Sequence, residues 1–209
     1  MYLTRMELDT SQRKTIMALA SPALFHGAIE HDFAGKGRKL WRRDTLLKKS
    51  YLLLVSETPP ELTTTSQQFG TENGWETLDY ESFLAHIRVG QRRHFRLKAN
   101  PVIAKSAGMG KRGKVLAHVT VAQQAQWLID RAEKHGFHLE PDEFAVTQTA
   151  WESFRKNTDG GRRVTFRTAV FEGTLTVTDA QRFRQALVSG IGREKAYGCG
   201  LLTVTRCVE

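Results

Sequence analysis

Residues 164–177 read VTFRTAVFEGTLTV, residues 179–188 read DAQRFRQALV, and residues 201–205 read LLTVT. The first stretch is dense in Val, Thr and Phe, which suit a pleated, half-buried strand. The second opens on Asp179, whose carboxylate can accept from the free amides of a helix spanning Ala180 to Val188. The third is a short apolar strand. Upstream, Phe144 to Phe154 is also β-rich, and Asp159-Gly160 marks a hairpin turn between the two long stretches. Thr120 to His135 places Val121, Ala125, Leu128 and Ala132 at helical spacing, and Gly136 closes that helix. His94 to Leu97 is a basic strand ended by Asn100-Pro101, and Ala104 to Lys114 is a Gly- and Lys-rich loop. The second half thus runs β-α-β-β-α-β, the split ferredoxin-like unit.

The first half repeats the opening of that order. Tyr2 to Leu8 is a strand. Ser21-Pro22 starts a helix, with the serine expected to cap it and Pro at the first helical position. Leu24, Phe25, Ala28 and Ile29 form its apolar face. Gly35 to Lys39 is a basic loop, and Lys39 to Asp44 and Tyr51 to Val55 are strands. Residues 57–82 carry only weak signals and are expected to be irregular. The expected fold class is therefore α+β, with two tandem ferredoxin-like (RRM-like) domains at 1–90 and 91–209. RNA-recognition modules of this shape display aromatics in a fixed pattern on their central strands. That pattern is absent here, which disfavours an ordinary single-strand reader.

Composition narrows the classes. The 209 residues are 40% apolar and 25% charged, an ordinary globular balance that excludes a wholly disordered chain. Glycine follows no strict period, which excludes collagen. No apolar run approaches the roughly 18 residues of a membrane span. Met1-Tyr2-Leu3-Thr4-Arg5 has no apolar signal region, and Cys199 and Cys207 make neither a disulfide framework nor a zinc site. A cytoplasmic setting without membrane attachment is expected. Net charge is +9. Residues 1–90 hold 11 basic and 11 acidic side chains, whereas residues 91–209 hold 20 and 11. The whole excess lies in the second half, and such a one-sided field suits a polyanion, nucleic acid first.

One loop is unusually specific: Gly190-Ile191-Gly192-Arg193-Glu194-Lys195-Ala196-Tyr197-Gly198-Cys199-Gly200-Leu201-Leu202. It follows a helix and precedes a strand. Dinucleotide and Walker loops need the opposite order, so that a helix N-terminus faces phosphate. Gly190, Gly192, Gly198 and Gly200 would let backbone approach another backbone or a phosphate closely. This segment resembles the C-terminal glycine-rich motif of the CRISPR-associated repeat-RNA endoribonucleases, and most of all the CasE branch of the type I-E Cascade complex. Ser21-Pro22-Ala23-Leu24-Phe25-His26, Lys39-Leu40-Trp41-Arg42 and Phe95-Arg96-Leu97-Lys98-Ala99-Asn100-Pro101 agree, collinearly. The resemblance implies two ferredoxin-like domains, metal-independent cleavage of CRISPR precursor RNA in its repeats, and a guide RNA that stays bound. It also implies other Cascade subunits as partners, with a monomer outside the complex.

The chemistry can be weighed residue by residue. Metal-assisted RNA cleavage wants clustered carboxylates, and beyond Asp142-Glu143 there are few, so no metal or cofactor is expected. RNA carries its own nucleophile, the 2′-hydroxyl. A metal-free enzyme must remove that proton and protonate the leaving 5′-oxygen, and histidine suits either task. On a helical wheel His26 falls roughly 130° from the apolar face of its helix and points away from the core. From the residues alone it is either a surface or a catalytic histidine; the resemblance implies catalytic. Relatives can carry a tyrosine three residues earlier, where this chain has Ala23. The second catalytic group stays open, with Lys36 or Lys39 as candidates for charge stabilisation against a solvated loop lysine.

A repeat stem-loop would be held by shape and phosphate contacts. Arg155, Lys156, Arg162 and Arg163 flank a hairpin tip that could enter an RNA groove, where the family uses a basic hairpin. Arg96, Lys98, Lys105, Lys111, Arg112 and Lys114 could line the backbone, with Lys195 adding charge at the glycine loop. Each alone is an ordinary solvated charge; the set is less easily dismissed. The leading expectation is a metal-independent endoribonuclease leaving a 5′-hydroxyl and a 2′,3′-cyclic phosphate. Two alternatives are a non-catalytic RNA-binding subunit and a basic interaction domain that meets RNA only through its partners.

Overall fold

A computed structural model describes residues 1–33, 37–106, 108, 113–155 and 161–207. Four antiparallel strands form the first sheet: β1 (Tyr2–Leu8), β2 (Lys39–Leu46), β3 (Lys49–Ser56) and β4 (Gly70–Asp79), in the order β2-β3-β1-β4. Along β1 the residues Thr4, Met6 and Leu8 are buried, the period-two alternation of a sheet with one covered face. Helices α1 (Arg13–Ala20) and α2 (Pro22–Asp32) connect β1 to β2, and α3 (Thr63–Phe69) connects β3 to β4. Phe25 and Ile29 of α2 pack with Met6, Leu52, Leu54 and Phe69 in one apolar cluster. Helix α4 (Tyr80–Ala85) ends this half.

The second sheet contains β5 (Arg92–Ala99), β8 (Phe137–His138), β9 (Phe144–Arg155), β10 (Arg163–Val177) and β11 (Leu202–Arg206). Its order is β11-β5-β10-β8, with β9 also paired to β10. Counting β8 and β9 as one interrupted strand, both sheets share the ferredoxin-like order fourth-first-third-second. Helix α5 (Val121–Ala132) begins with a capping box, Thr120 accepting from the Gln123 amide while Gln123 reaches back. Asp179 caps α6 (Ala180–Ser189) through the amides of Gln181 and Arg182, as expected. Gly136 follows α5 and a short 3₁₀ turn at a φ of 77°, a conformation glycine adopts without steric cost. Among the described residues no helix is long and apolar enough to cross a membrane.

Three expectations need correction. Residues 57–82 are not irregular: they contain α3, β4 and the start of α4. The sequence of α3, Thr-Thr-Thr-Ser-Gln-Gln-Phe, is a poor helix former. It is held at its start by the Asp32 carboxylate, which accepts from the amides of Thr64 (2.8 Å) and Thr65 (2.9 Å). The Ser21 hydroxyl makes no cap bond to α2. Ser21 instead closes α1, its amide donating to the Met17 carbonyl at 2.9 Å, and its own carbonyl accepts from Leu24. The loop expected at Ala104 to Lys114 has strand at both ends, because β6 (Val102–Lys105) and β7 (Lys114–Ala117) pair as a two-stranded ribbon.

The two sheets meet along a seam. Leu40 and Val55 of the first belong to the apolar cluster of the second, with Phe95, Leu97, Trp127 and Phe171. Arg42 crosses the same seam. It is 1% exposed, is paired with Asp44, and donates to the carbonyls of Arg96 (2.8 Å) and Leu201 (2.7 Å) and the hydroxyl of Thr203 (2.7 Å).

Candidate active site

His26 lies in the second turn of α2, one residue beyond the buried Phe25. Its side chain is 35% exposed, consistent with a ring turned away from the first sheet. What it turns toward is the glycine-rich loop. The ring centroid of Tyr197 is 6.0 Å from that of His26, edge-on at 77°. Tyr197 ends a 3₁₀ turn, Lys195–Tyr197, bounded by the left-handed residues Glu194 and Gly198. It is buried among Phe154 (4.9 Å between centroids) and Phe166 (5.9 Å). Those phenylalanines come from β9 and β10, so one aromatic cluster ties the arginine-bearing hairpin to the loop and to α2. Ala23 packs on the same cluster.

Charged residues also stand near His26. Glu30, one turn later on α2, places Oε1 3.9 Å from its Nδ1. Lys39 pairs with Oε2 of Glu30 at 2.9 Å. The sequence reading put Lys39 in a loop, solvated or facing a phosphorane. It is the first residue of β2, its side chain is 4% exposed, and its ammonium sits 5.3 Å from the Phe33 ring. The pairing of Lys39 with β3 through Ser56 draws it into the sheet. The other candidate, Lys36, falls outside the described residues.

The glycines answer to close protein packing. Gly198 has a φ of 77°, and a Cβ there would stand 2.8 Å from the Trp41 ring. Gly190 has a φ of 71°, and its Cβ would stand 2.8 Å from the Gly200 carbonyl oxygen. Gly192 and Gly200 also take positive φ. The Gly200 amide donates to the Lys98 carbonyl at 2.7 Å, and its carbonyl accepts from Ile191 at 2.9 Å, stitching both ends of the loop together and onto β5. Burial pushes the Cys199 thiol up to about 12, so it stays protonated and inert.

The basic residues divide into two groups. Arg155, Arg162 and Arg163 are exposed, and Arg155 and Arg163 face each other across the β9–β10 pair. Lys105 and Lys114 are exposed and opposite each other on the ribbon. Lys195 is half-buried, and burial together with nearby Arg38 holds its amine below the ordinary lysine range. Lys111, Arg112 and Lys156 fall outside the described residues. Arg96 and Lys98 depart from the expected free basic strip. Arg96 is paired with Asp44 (3.1 Å) and Glu172, and Lys98 with Glu152. Both line a cleft of about 510 Å³ between the sheets, where carboxylates offset their charge.

Sequence reasoning missed Glu30, Tyr197, Arg38 and His135. Burial first, then Lys134, Lys195 and Arg131, holds the His135 imidazole below its ordinary range. Tyr197 and Lys195 stand inside the glycine-rich segment, whereas Glu30 comes from α2, Arg131 from α5, and Lys134 and His135 from the 3₁₀ turn that follows α5. Among the described residues no three His, Cys, Asp or Glu side chains are placed to hold a metal ion.

Comparison with known proteins places this geometry. A sequence profile described as CRISPR associated protein matches residues 1–206. The chain is 30% identical over 218 residues to the CRISPR-associated endoribonuclease Cse3 of Thermus thermophilus, covering 98% of this chain and 99% of that protein. It is 30% identical over 126 residues to the CRISPR system Cascade subunit CasE of Escherichia coli K12, covering 56% and 60%. Among solved structures, Thermus thermophilus Cse3 bound to an RNA representing a pre-cleavage complex superposes with a TM-score of 0.78, at 27% identity and 98% coverage of each chain.

Proposed function

Since the chain belongs to the family of CRISPR-associated endoribonucleases, we propose that it cleaves CRISPR precursor RNA within the repeat stem-loop and keeps hold of the guide RNA. The reaction is internal transesterification without metal. The 2′-oxygen attacks the adjacent phosphorus, a 2′,3′-cyclic phosphate forms, and the bond to O5′ breaks. One proton leaves the 2′-hydroxyl and one reaches O5′, giving a 5′-hydroxyl end. His26 moves one of those two protons. The observation that carries this reading is the meeting of His26 with Tyr197, which brings the catalytic helix, the glycine-rich loop and the base of the basic hairpin to one place.

The RNA surface we assign comprises Arg155, Arg162 and Arg163 of the hairpin with Lys156, Lys105 of the ribbon with Lys111 and Arg112 further along the sequence, and Lys195 beside the glycine loop. The exposure of Arg155, Arg162, Arg163 and Lys105 supports that assignment, whereas the ion pairs of Arg96 and Lys98 leave those two a minor share. The division of labour follows the charge: a neutral unit, 1–90, carries His26, and a basic unit, 91–209, holds RNA. The protein works in the cytoplasm as the repeat-processing subunit of a Cascade complex and is a monomer outside it. Ala23 favours one second reading, a non-catalytic RNA-binding subunit, because a methyl group packed among aromatics offers no hydroxyl.

Cleavage of the cognate repeat stem-loop in excess EDTA separates the two. Cleavage is expected to persist. Loss of cleavage on chelation, with recovery on adding magnesium, would overturn the metal-independent mechanism; binding without cleavage under any condition would favour the second reading.

A further inference from the structure

Glu30 stands four residues after His26 and so shares its side of α2. Its carboxylate is divided between two partners, Oε1 lying 3.9 Å from His26 Nδ1 and Oε2 2.9 Å from Lys39 Nζ. Lys39 is on β2, a different element, and is 4% exposed. An ammonium that deeply buried is costly unless paired, and Glu30 is the carboxylate it meets. The sheet therefore pins the carboxylate, which a surface pair along one helix would not do. The Tyr197 ring also lies against the imidazole, at 6.0 Å between centroids and 77° between planes.

We propose that Glu30 is a positioning residue for His26, held in place by Lys39; this rests on the reading of His26 as a catalytic group. A carboxylate held 3.9 Å from Nδ1 acts on the ring through charge: it favours a proton on that nitrogen and steadies the imidazolium that proton transfer creates. Glu30 touches no reacting atom and acts only through His26.

Single-turnover cleavage of the cognate repeat stem-loop RNA, measured beside RNA affinity, tests this. Glu30→Gln is expected to slow cleavage roughly ten- to a hundredfold, the range seen when the group orienting a working imidazole is lost. Affinity should change less than about threefold. In a His26→Ala background, Glu30→Gln should slow cleavage no further, because residues acting as a unit are non-additive. If His26→Ala is slow while Glu30→Gln cuts at the wild-type rate, the positioning role is overturned and His26 stands. If His26→Ala itself cuts normally, both fall. Should Glu30→Gln strand Lys39 and prevent folding, Glu30→Gln with Lys39→Met removes both charges together. That variant is expected to fold, bind and cut slowly; wild-type cleavage by it would equally overturn the role.

Discussion

A general acid or base contributes about 10²–10⁴ in rate, so His26→Ala should slow single-turnover cleavage by that factor. Binding should be nearly unaffected, changing by under about 1 kcal/mol, because the excess charge lies in residues 91–209 and His26 does not. A variant that cuts at the wild-type rate would remove His26 from the mechanism. The orientation of His26 was legible from the helical wheel, because Phe25, Ala28 and Ile29 define a buried face that leaves residue 26 outside it. Its neighbours were not. Tyr197 lies far along the chain, and the burial of Lys39 follows from a sheet pairing that no local pattern announces. Lys39 stands where the Gly-Lys-Gly-Arg loop composition meets the strand pattern, and β2 begins at that residue. Arg96 and Lys98 illustrate the opposite limit. Their charges are plain in sequence, but Asp44, Glu152 and Glu172, which offset them, come from three other strands.

At the scale of elements, long patterned segments were legible and short ones were not. The long strands β9 and β10 are dense in β-formers and the helices α5 and α6 carry side-chain caps, and these elements stand where their residues suggested, while the Asp159-Gly160 turn lies outside the described residues. Helix α1 and helix α3 were not legible: they span only eight and seven residues. The threonine-rich α3 is stabilised from outside by Asp32, a tertiary device that overrides low propensity. The glycine-rich loop is a different case: its spacing was unmistakable, but its physical reason was not. Gly198 is required by the Trp41 ring beneath it and by its positive φ. Gly198→Val would add left-handed strain and an overpacked contact, together about 2–4 kcal/mol. That predicts a fall in Tm of roughly 5–15 °C, which differential scanning calorimetry can measure. An unchanged Tm would mean that the loop stands clear of Trp41 in solution.

For the molecule as a whole, the decisive feature is that two ferredoxin-like sheets share one continuous seam. The doubling of β-α-β-β was legible; the seam was not, since Leu40, Val55 and Arg42 look like ordinary residues of the first half. Arg42 binds strands β5 and β11 of the second sheet from β2 of the first, by way of two carbonyls and a hydroxyl, with Asp44 balancing its charge. The fork of donors matters more than the charge, because an ammonium cannot reach all of these acceptors at once. Arg42→Lys therefore leaves buried carbonyls unpaired and should cost roughly 2–4 kcal/mol, read as a lower midpoint in denaturant. The unfolding should stay a single transition by fluorescence and by circular dichroism, because the apolar cluster still spans both halves. The same substitution should slow cleavage at saturating enzyme, because His26 and Tyr197 approach from opposite sides of the seam. If Arg42→Lys melts like the wild type, the crossing bonds contribute nothing net. If its two probes separate, the sheets are held together by Arg42 rather than by their shared core.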